Sequence, residues 1–114
     1  MTAKKWHLYL ADLNPRFGTE PGKLRPVVVI QTQLLNEAGH PSTLICPMTT
    51  KVLPKSKWLR VHLKKGEGGL KEPSDVLADQ IRAIDNKRFK RELGILSQEK
   101  QLHLMDSIKA ILDL

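Results

Sequence analysis

The sequence predicts a small, mostly β domain of the all-β or α+β class, with a barrel-like arrangement of strands. Several short apolar runs have the patterns of strands, and clusters of glycine and proline separate them. The final segment changes to helical spacing, so one helix would pack against the sheet. The chain has 114 residues, a length typical of one domain, and we expect residues 1–114 to form that domain.

The N-terminal half contains three predicted strands. Residues 6–12 alternate between apolar and more polar side chains, which indicates a strand with one drier face. Residues 14–23 contain two prolines and two glycines and are predicted to form a loop. Residues 26–31 are a nearly continuous β-branched run, typical of a strand buried on both faces. About one helical turn within residues 32–40 then precedes a third strand over residues 43–48.

The C-terminal half contains further strands and then a helix. Residues 51–57 form a basic loop, and residues 58–63 alternate as a fourth strand. Residues 75–85 are a candidate for one long strand. Ser97 is a suitable N-cap for a helix over residues 98–112, where apolar residues recur at helical spacing.

The composition indicates a basic protein of a reducing compartment. Nineteen Lys and Arg against twelve Asp and Glu give a net charge of +7, which favours a polyanionic partner such as nucleic acid, an anionic membrane or an acidic protein tail. The single cysteine, Cys46, excludes a disulfide framework. No apolar run approaches the roughly 18 residues that a membrane span needs, and no apolar segment typical of a signal peptide follows the N-terminus. We therefore expect a cytoplasmic protein without membrane association.

Several large classes of catalytic motif are absent from the sequence. It contains no G-x-G-x-x-G, no phosphate-binding P-loop and no H-E-x-x-H. The four histidines lack the spacing of metal ligands, so we expect neither a metal site nor a cofactor. Aromatic residues make up 4% of the chain, too few for the base-stacking sheet of an RNA-recognition motif.

Polar residues stand at the ends of the predicted strands. Glu20 lies in the first loop, Arg25 directly precedes the β-branched run, and Thr49 follows the third strand. Asp79 and Gln80 interrupt an otherwise apolar run. Each residue also has a structural interpretation, as a surface ion pair, a solvated carboxylate or a turn-forming hydroxyl. Composition does not decide between these interpretations and a functional one.

Three blocks of the sequence resemble the MazF/PemK/Kid family of toxins. The first is similar to the family's G-x-E loop followed by R-P-V-x-V, and reads Gly18-Thr19-Glu20-Pro21-Gly22-Lys23-Leu24-Arg25-Pro26-Val27-Val28-Val29-Ile30. The second is Cys46-Pro47-Met48-Thr49-Thr50. The third is Asp75-Val76-Leu77-Ala78-Asp79-Gln80-Ile81-Arg82-Ala83-Ile84-Asp85. The similarity extends from Trp6 to the terminal helix, with the blocks in the family's order.

The resemblance implies an SH3-like small β-barrel with a C-terminal helix, working as a homodimer. It implies a sequence-specific, metal-independent endoribonuclease that cleaves single-stranded mRNA. It also implies a cognate antitoxin protein whose acidic C-terminal tail occupies the RNA groove. The net charge of +7 suits both RNA and such a tail.

The resemblance also assigns the site residues. Arg25 matches the family's catalytic arginine, Thr49 its partner threonine, and Glu20 a loop glutamate implicated in some members. Asp79 and Gln80 match positions that contact RNA bases. Four more residues are expected to bind substrate: Phe17, Thr19, Lys57 and Trp58.

The sequence departs from the family pattern at three places. Kid-type toxins carry a histidine where this chain has Thr19 and an arginine where it has Leu77, so a mechanism that needs those groups does not transfer. Relatives often show Leu-Pro where this chain has Lys57-Trp58. By analogy Trp58 borders the groove and stacks on a base, and the equal alternative is a tryptophan in the core or at a dimer contact.

The implied chemistry is coherent with these residue types. Without a metal, the RNA 2′-hydroxyl attacks its own phosphate and leaves a 2′,3′-cyclic phosphate and a 5′-hydroxyl. The reaction needs a proton acceptor, a donor to the leaving oxygen and positive charge on the phosphorane. Arg25 is a poor base because its pKa is above about 12, and it suits either charge stabilisation through its planar fork or acid-like delivery of a proton. Glu20 is then the candidate base, and Thr49 a hydrogen-bond donor to the phosphate.

Two alternatives stay open on the sequence. A gyrase-poisoning toxin of the CcdB type shares the implied fold, but such toxins depend on a C-terminal Trp-Gly-Ile, and this chain ends Ile-Leu-Asp-Leu. The other alternative is a degenerate RNA binder that does not cleave. The presence of Glu20, Arg25 and Thr49 argues against it.

Overall fold

The computed structural model describes residues 2–114, and within them the chain forms seven strands and two α-helices. Their bounds are β1 His7–Asp12, β2 Leu24–Val29, α1 Gln33–Glu37, β3 Ser42–Thr49, β4 Arg60–Leu63, β5 Ser74–Leu77, β6 Arg82–Asp85, β7 Phe89–Ile95 and α2 Gln98–Leu112. The mostly β architecture with one C-terminal helix is therefore confirmed. Neither helix among the described residues is long and apolar enough to cross a membrane.

All strand pairs are antiparallel, and they form one sheet in the order β4-β5-β3-β2-β1-β7. Strand β3 is the longest and pairs with two strands along one edge. Its first half pairs with β6, from Ser42 opposite Asp85, and its end pairs with β5, where Thr49 lies opposite Asp75. Within residues 2–114, β4 and β7 are not hydrogen-bonded to each other, so the sheet does not close into a complete ring.

The central strands are buried on both faces, as the β-branched run of β2 predicts. Val28 belongs to one apolar cluster, which α2 covers with Leu104. Val27 and Val29, which point to the opposite face, belong to a second cluster around Tyr9. Helix α2 begins where predicted, since the Ser97 side chain accepts a hydrogen bond from the Lys100 amide.

Three details differ from the expectations. Residues 75–85 form two strands instead of one, because β5 and β6 pair with different parts of β3 and the chain turns between them at residues 78–81. The fourth strand begins at Arg60 and not at residue 58. Strand β7 was not predicted, because Lys90, Arg91 and Glu92 replace the apolar pattern at this terminal strand of the sheet.

Close backbone contacts at glycines join the loop after β4 to β7, and β4 and β7 are the two terminal strands of the sheet. The loop after β4 contains the short 3₁₀ turn Glu67–Gly69, which packs against β7. A Cβ added at Gly69 would lie 2.0 Å from the Leu93 carbonyl oxygen, and one added at Gly94 would lie 2.6 Å from the Gly68 carbonyl. Only residues without a side chain allow this backbone approach.

We expect Gly69→Ala to destabilise the fold by about 2–5 kcal/mol, because its φ of +79° disfavours a side chain and the added Cβ meets backbone. Gly66→Ala is the matched control. Gly66 also has a positive φ, +92°, but a Cβ there would have no atom within 4 Å, so the cost should be about 1–2 kcal/mol. Urea unfolding of both variants measures the difference. Equal stability losses would contradict the backbone contact.

Candidate active site

Arg25 and Thr49 line one cavity of about 260 Å³, where the start of β2 lies near the end of β3. The Arg25 guanidinium is held in place by two backbone carbonyls: its Nε donates to Gly22 O at 2.6 Å and its Nη1 to Met48 O at 3.3 Å. A guanidinium has five N–H donors, so about three remain for a ligand. The cavity therefore presents an oriented cationic fork.

The Thr49 hydroxyl is a second polar group of this cavity that can bind a ligand. Its oxygen accepts a hydrogen bond from the Lys51 amide at 3.1 Å, so the hydroxyl hydrogen stays available for a ligand. The cavity lining contains four cationic side chains and no carboxylate: Arg16, Lys23, Arg25 and Lys51. This arrangement suits a phosphate and does not suit a metal cation.

The structure does not bring Glu20 into this cavity. Its side chain is 47% exposed, and its carboxylate faces Arg82 on β6 at 3.5 Å, which is an ion-pair distance and too long for a strong hydrogen bond. The Arg82 Nη1 is buried and has no hydrogen-bond partner among the described residues. The loop that carries Glu20 is thus held to β6 by a loose ion pair.

The remaining predicted substrate-binding residues occupy two further places. Thr19, Asp79 and Gln80 line a second cavity of about 290 Å³ between the first loop and the turn after β5. Phe17 lies at the tip of the first loop and is 80% exposed. Phe17 and Thr19 thus belong to the first loop, whereas Asp79 and Gln80 belong to the turn after β5.

Lys57 and Trp58 lie at a third cavity, of about 230 Å³, beside α2. Trp58 is 67% exposed, which excludes the alternative that it packs in the core of this chain. His103 and Asp106 of α2 line the same cavity. Seven of the nine sequence-predicted residues are therefore distributed over three cavities, and only Arg25 and Thr49 share the first. Glu20 and Phe17 line none of the three.

A charged network surrounds the buried Asp75 and was not among the predicted functional residues. The Asp75 side chain is fully buried, and its Oδ2 accepts hydrogen bonds from the Leu53 amide at 2.8 Å and from Arg60 Nη1 at 3.0 Å. Its Oδ1 lies 2.6 Å from His62 Nδ1. Burial by itself would raise the pKa of Asp75, but the bonds from Leu53, His62 and Arg60 outweigh it and lower that pKa.

The network fastens the basic loop to the sheet. His62 Nε2 lies 2.9 Å from Ser56 O, so each of the two ring nitrogens of His62 faces a hydrogen-bond acceptor. Arg60 Nη1 also donates to Lys51 O at 2.9 Å. The sequence signal for this network was available: Arg60 and His62 are polar residues two apart on a strand and therefore share one face.

The geometry of residues 2–114 supports neither a nucleophilic cysteine nor a metal-binding cluster. The Cys46 thiol is buried, and burial raises its pKa to about 12, so it is not a nucleophile at neutral pH. Among residues 2–114, no three His, Cys, Asp or Glu side chains are grouped so that they could hold a metal ion.

Comparison with known proteins decides the family. Residues 4–112 match the family model described as PemK-like, MazF-like toxin of type II toxin–antitoxin system. The chain belongs to this family. It is 32% identical over 111 residues to the Endoribonuclease MazF of Staphylococcus epidermidis, covering 97% of this chain and 92% of that protein. A MazF relative of the same name in Staphylococcus saprophyticus is equally similar.

Solved structures show the same fold at lower sequence identity. The crystal structure of MazF from Deinococcus radiodurans has a TM-score of 0.85 and 23% identity, covering 100% of this chain and 99% of that one. A MazE–MazF complex from the same organism gives a TM-score of 0.78 at 22% identity, covering 100% and 98%. The predicted PemK/MazF-type fold is confirmed, and the family match does not favour the CcdB-type alternative.

We expect Asp75→Asn to destabilise this MazF-like chain by about 1.5–3 kcal/mol, because the part-buried Arg60 loses its charged partner and the Leu53 amide and His62 lose a charged acceptor. The exposed Asp106 on α2 provides the control, and Asp106→Asn should change stability by less than about 0.5 kcal/mol. Urea unfolding measures both variants. A small loss for Asp75→Asn would show that the network contributes little.

The lowered pKa of Asp75 also predicts the direction in which the free energy of unfolding changes with pH. The folded-state pKa of Asp75 is lowered from its ordinary value of 3.8, so its contribution is present above that value and is lost as the pH falls through the folded-state pKa. Wild-type stability should therefore decline below about pH 4, and Asp75→Asn should decline less steeply. Parallel curves for the two proteins would contradict the lowered pKa.

Proposed function

We propose that this chain is the endoribonuclease toxin of a type II toxin–antitoxin pair and that it cuts single-stranded RNA sequence-specifically without a metal ion. The family match and the name of the 32% identical relatives support the endoribonuclease activity. The observation that carries the proposal is the cavity that Arg25 and Thr49 share. It is lined by cations and a hydroxyl and by no carboxylate, so it fits a phosphodiester.

The reaction is intramolecular attack of the 2′-hydroxyl on the adjacent phosphate. The free N–H groups of Arg25 bind the phosphorane oxygens, and Gly22 O and Met48 O keep the guanidinium aimed into the cavity. The Thr49 hydroxyl donates to the same phosphate. A guanidinium is not deprotonated in proteins, so Arg25 stabilises charge and does not act as the base. The bond from phosphorus to the 5′-oxygen breaks and that oxygen takes a proton from water, while Glu20 releases the 2′-hydroxyl proton to solvent. The products are a 2′,3′-cyclic phosphate and a 5′-hydroxyl.

Glu20 is the proposed proton acceptor. Its carboxylate makes only the 3.5 Å contact with Arg82 among the described residues. The first loop can therefore bring Glu20 toward bound RNA without breaking a strong hydrogen bond of this side chain. Base recognition is assigned to Asp79 and Gln80 in the second cavity with Thr19, and to Phe17 at the loop tip.

The proposed partners follow from the same charge pattern. An antitoxin with an acidic C-terminal tail competes with RNA for the cationic cavity, and the similarity to the MazF chain of the MazE–MazF complex supports such a partner. The active toxin is proposed to be a homodimer in the cytoplasm. Lys57 and Trp58 extend the RNA contact beside α2.

The first test is cleavage of a long, mixed-sequence RNA by the pure protein, with 5′-hydroxyl ends mapped by sequencing. We expect cuts at a restricted sequence, full activity in EDTA, and resistance of duplex RNA, whose paired bases are not accessible. Loss of activity in EDTA that a divalent ion restores would contradict the metal-free mechanism. Absence of any cleavage would contradict the proposed function.

The second test addresses the cavity. Arg25→Ala should slow cleavage at least about a hundredfold, the effect of removing one transition-state donor, and Thr49→Ala should have a similar but smaller effect. Arg25→Lys keeps the charge and removes the fork, so it should recover little of the rate. Thermal melting must show each variant folded. If Arg25→Ala and Thr49→Ala both unfold, the two residues have a structural role and the assignment fails.

The third test concerns Trp58. An indole stacked under a base contributes about 1–3 kcal/mol, so Trp58→Ala should raise the Kd for RNA roughly ten- to a hundredfold. Leu102→Ala is a control, since Leu102 is a 58% exposed apolar residue of α2 that does not line the Trp58 cavity. Fluorescence anisotropy measures RNA binding, and sedimentation reports assembly. A Trp58→Ala protein that becomes monomeric would indicate a dimer contact instead of stacking.

A further inference from the structure

A fourth cavity, of about 200 Å³, adjoins the Arg25–Thr49 cavity. Pro26, Thr50 and Ser74 line both cavities, so these three residues form a common boundary between them. None of the residues predicted from the sequence to bind substrate lines this fourth cavity. We name it the β7 cavity, because Arg91 and Leu93 of β7 form one of its walls.

The strand register determines where the β7 cavity lies relative to the Arg25–Thr49 cavity. Leu10 of β1 lies opposite Arg91 on one side and opposite Pro26 on the other. Residues directly opposite in antiparallel strands share a face, so Arg91, Leu10 and Pro26 form one row across three strands. Two strand spacings, about 10 Å, separate the backbones at the ends of the row. The row therefore leads from the edge of the sheet to the residue next to Arg25.

The charge of the two joined cavities favours an extended polyanion. One carboxylate, that of Glu72, lines them, against six cationic side chains: Arg16, Lys23, Arg25, Lys51, Lys71 and Arg91. Within residues 2–114, none of the six forms an ion pair with a carboxylate at 4.0 Å or less. Unpaired cations spread over two adjoining cavities attract a phosphate backbone more strongly than a single anionic group.

The β7 cavity has an apolar part and a cationic part, and this arrangement suits one nucleotide. Its apolar part comes from Leu10, Leu70 and Leu93, and its cations are Lys71 and Arg91. The volume of the β7 cavity, about 200 Å³, is below the range of about 300–1,000 Å³ that is typical for drug-sized ligands. A cavity of this size suits a smaller group such as a single planar base. An apolar surface stacks a base without reading its edge, while cations hold the neighbouring phosphate.

We propose that the β7 cavity is an RNA subsite, which takes one base flanking the cleaved bond and binds the adjoining phosphate through Lys71 and Arg91. This proposal rests on the proposed endoribonuclease function. The RNA strand then leaves the catalytic cavity across Pro26 and Leu10 toward β7, on a path separate from the contact of Trp58 beside α2.

The test compares Lys71→Ala and Arg91→Ala with Lys90→Ala. Lys90 neighbours Arg91 on β7, is exposed and does not line the β7 cavity, so the control removes the same charge from the opposite face. Anisotropy measures the Kd for an RNA with a 2′-deoxy substitution at the cut site, over a range of salt concentrations. We expect Lys71→Ala and Arg91→Ala each to raise the Kd roughly tenfold and to reduce the salt slope by about 0.7, while Lys90→Ala stays near wild type.

Shortened RNAs locate the contact. The oligonucleotide is trimmed stepwise from its 5′ end in one series and from its 3′ end in another. In one of the two series, removal of a single nucleotide should make the Kd values of the wild type and Arg91→Ala equal. That nucleotide is the one that occupies the β7 cavity in the longer RNA. A difference that persists through both series would overturn the subsite.

Several results would overturn the proposal while leaving the proposed function intact. One is an equal effect of Lys90→Ala, which would indicate diffuse electrostatic attraction. Another is a changed oligomeric state of Arg91→Ala in sedimentation, which would make the cavity an interface between copies. A third is weakened binding of an acidic peptide with unchanged RNA binding. Failure of the wild-type protein to cleave RNA would instead contradict the proposed function itself.

Discussion

One buried carboxylate, that of Asp75, organises the side of the molecule next to the Arg25–Thr49 cavity. Its oxygens bind the Leu53 amide, Arg60 and His62, and the Arg60 and His62 side chains in turn bind the carbonyls of Lys51 and Ser56. A fully buried charge costs much free energy unless it is paired and hydrogen-bonded, so these partners are required together. Thr49 lies opposite Asp75 in the strand register, and the end of β3 is thereby placed beside a fixed loop.

The Arg25–Thr49 cavity depends equally on where neighbouring strands begin and end. Strand β2 starts with Leu24 and Arg25 next to the point where β3 ends at Thr49, and both strands are anchored by apolar clusters on their two faces. The anchored backbone supplies the carbonyls that orient the Arg25 guanidinium. Charges in the interior are paired, whereas the cations of the cavity are unpaired, and this contrast separates structural charge from charge available to a polyanion.

Much of the fold could be predicted because local patterns and packing agree in this chain. The β-branched run of β2 indicated burial on both faces, and the N-cap and apolar spacing of α2 gave its two ends correctly. The division of residues 75–85 into two strands could not be predicted, since it depends on the pairing of β3 with both β5 and β6. Strand β7 is polar at a terminal position of the sheet, so it lacks the alternation that identifies strands in a sequence.

The sequence by itself determined the strand patterns, the basic charge and the three blocks that identify the family, because these properties lie in residues close together along the chain. Only the tertiary structure decided that Arg25 and Thr49 share a cavity while Glu20 faces Arg82. It also decided that Asp75 is buried between Arg60 and His62, which lie 15 and 13 residues away in the sequence. The physical reason is that pairing, burial and cavity shape depend on contacts between distant segments, and no local pattern encodes which strand will lie beside another.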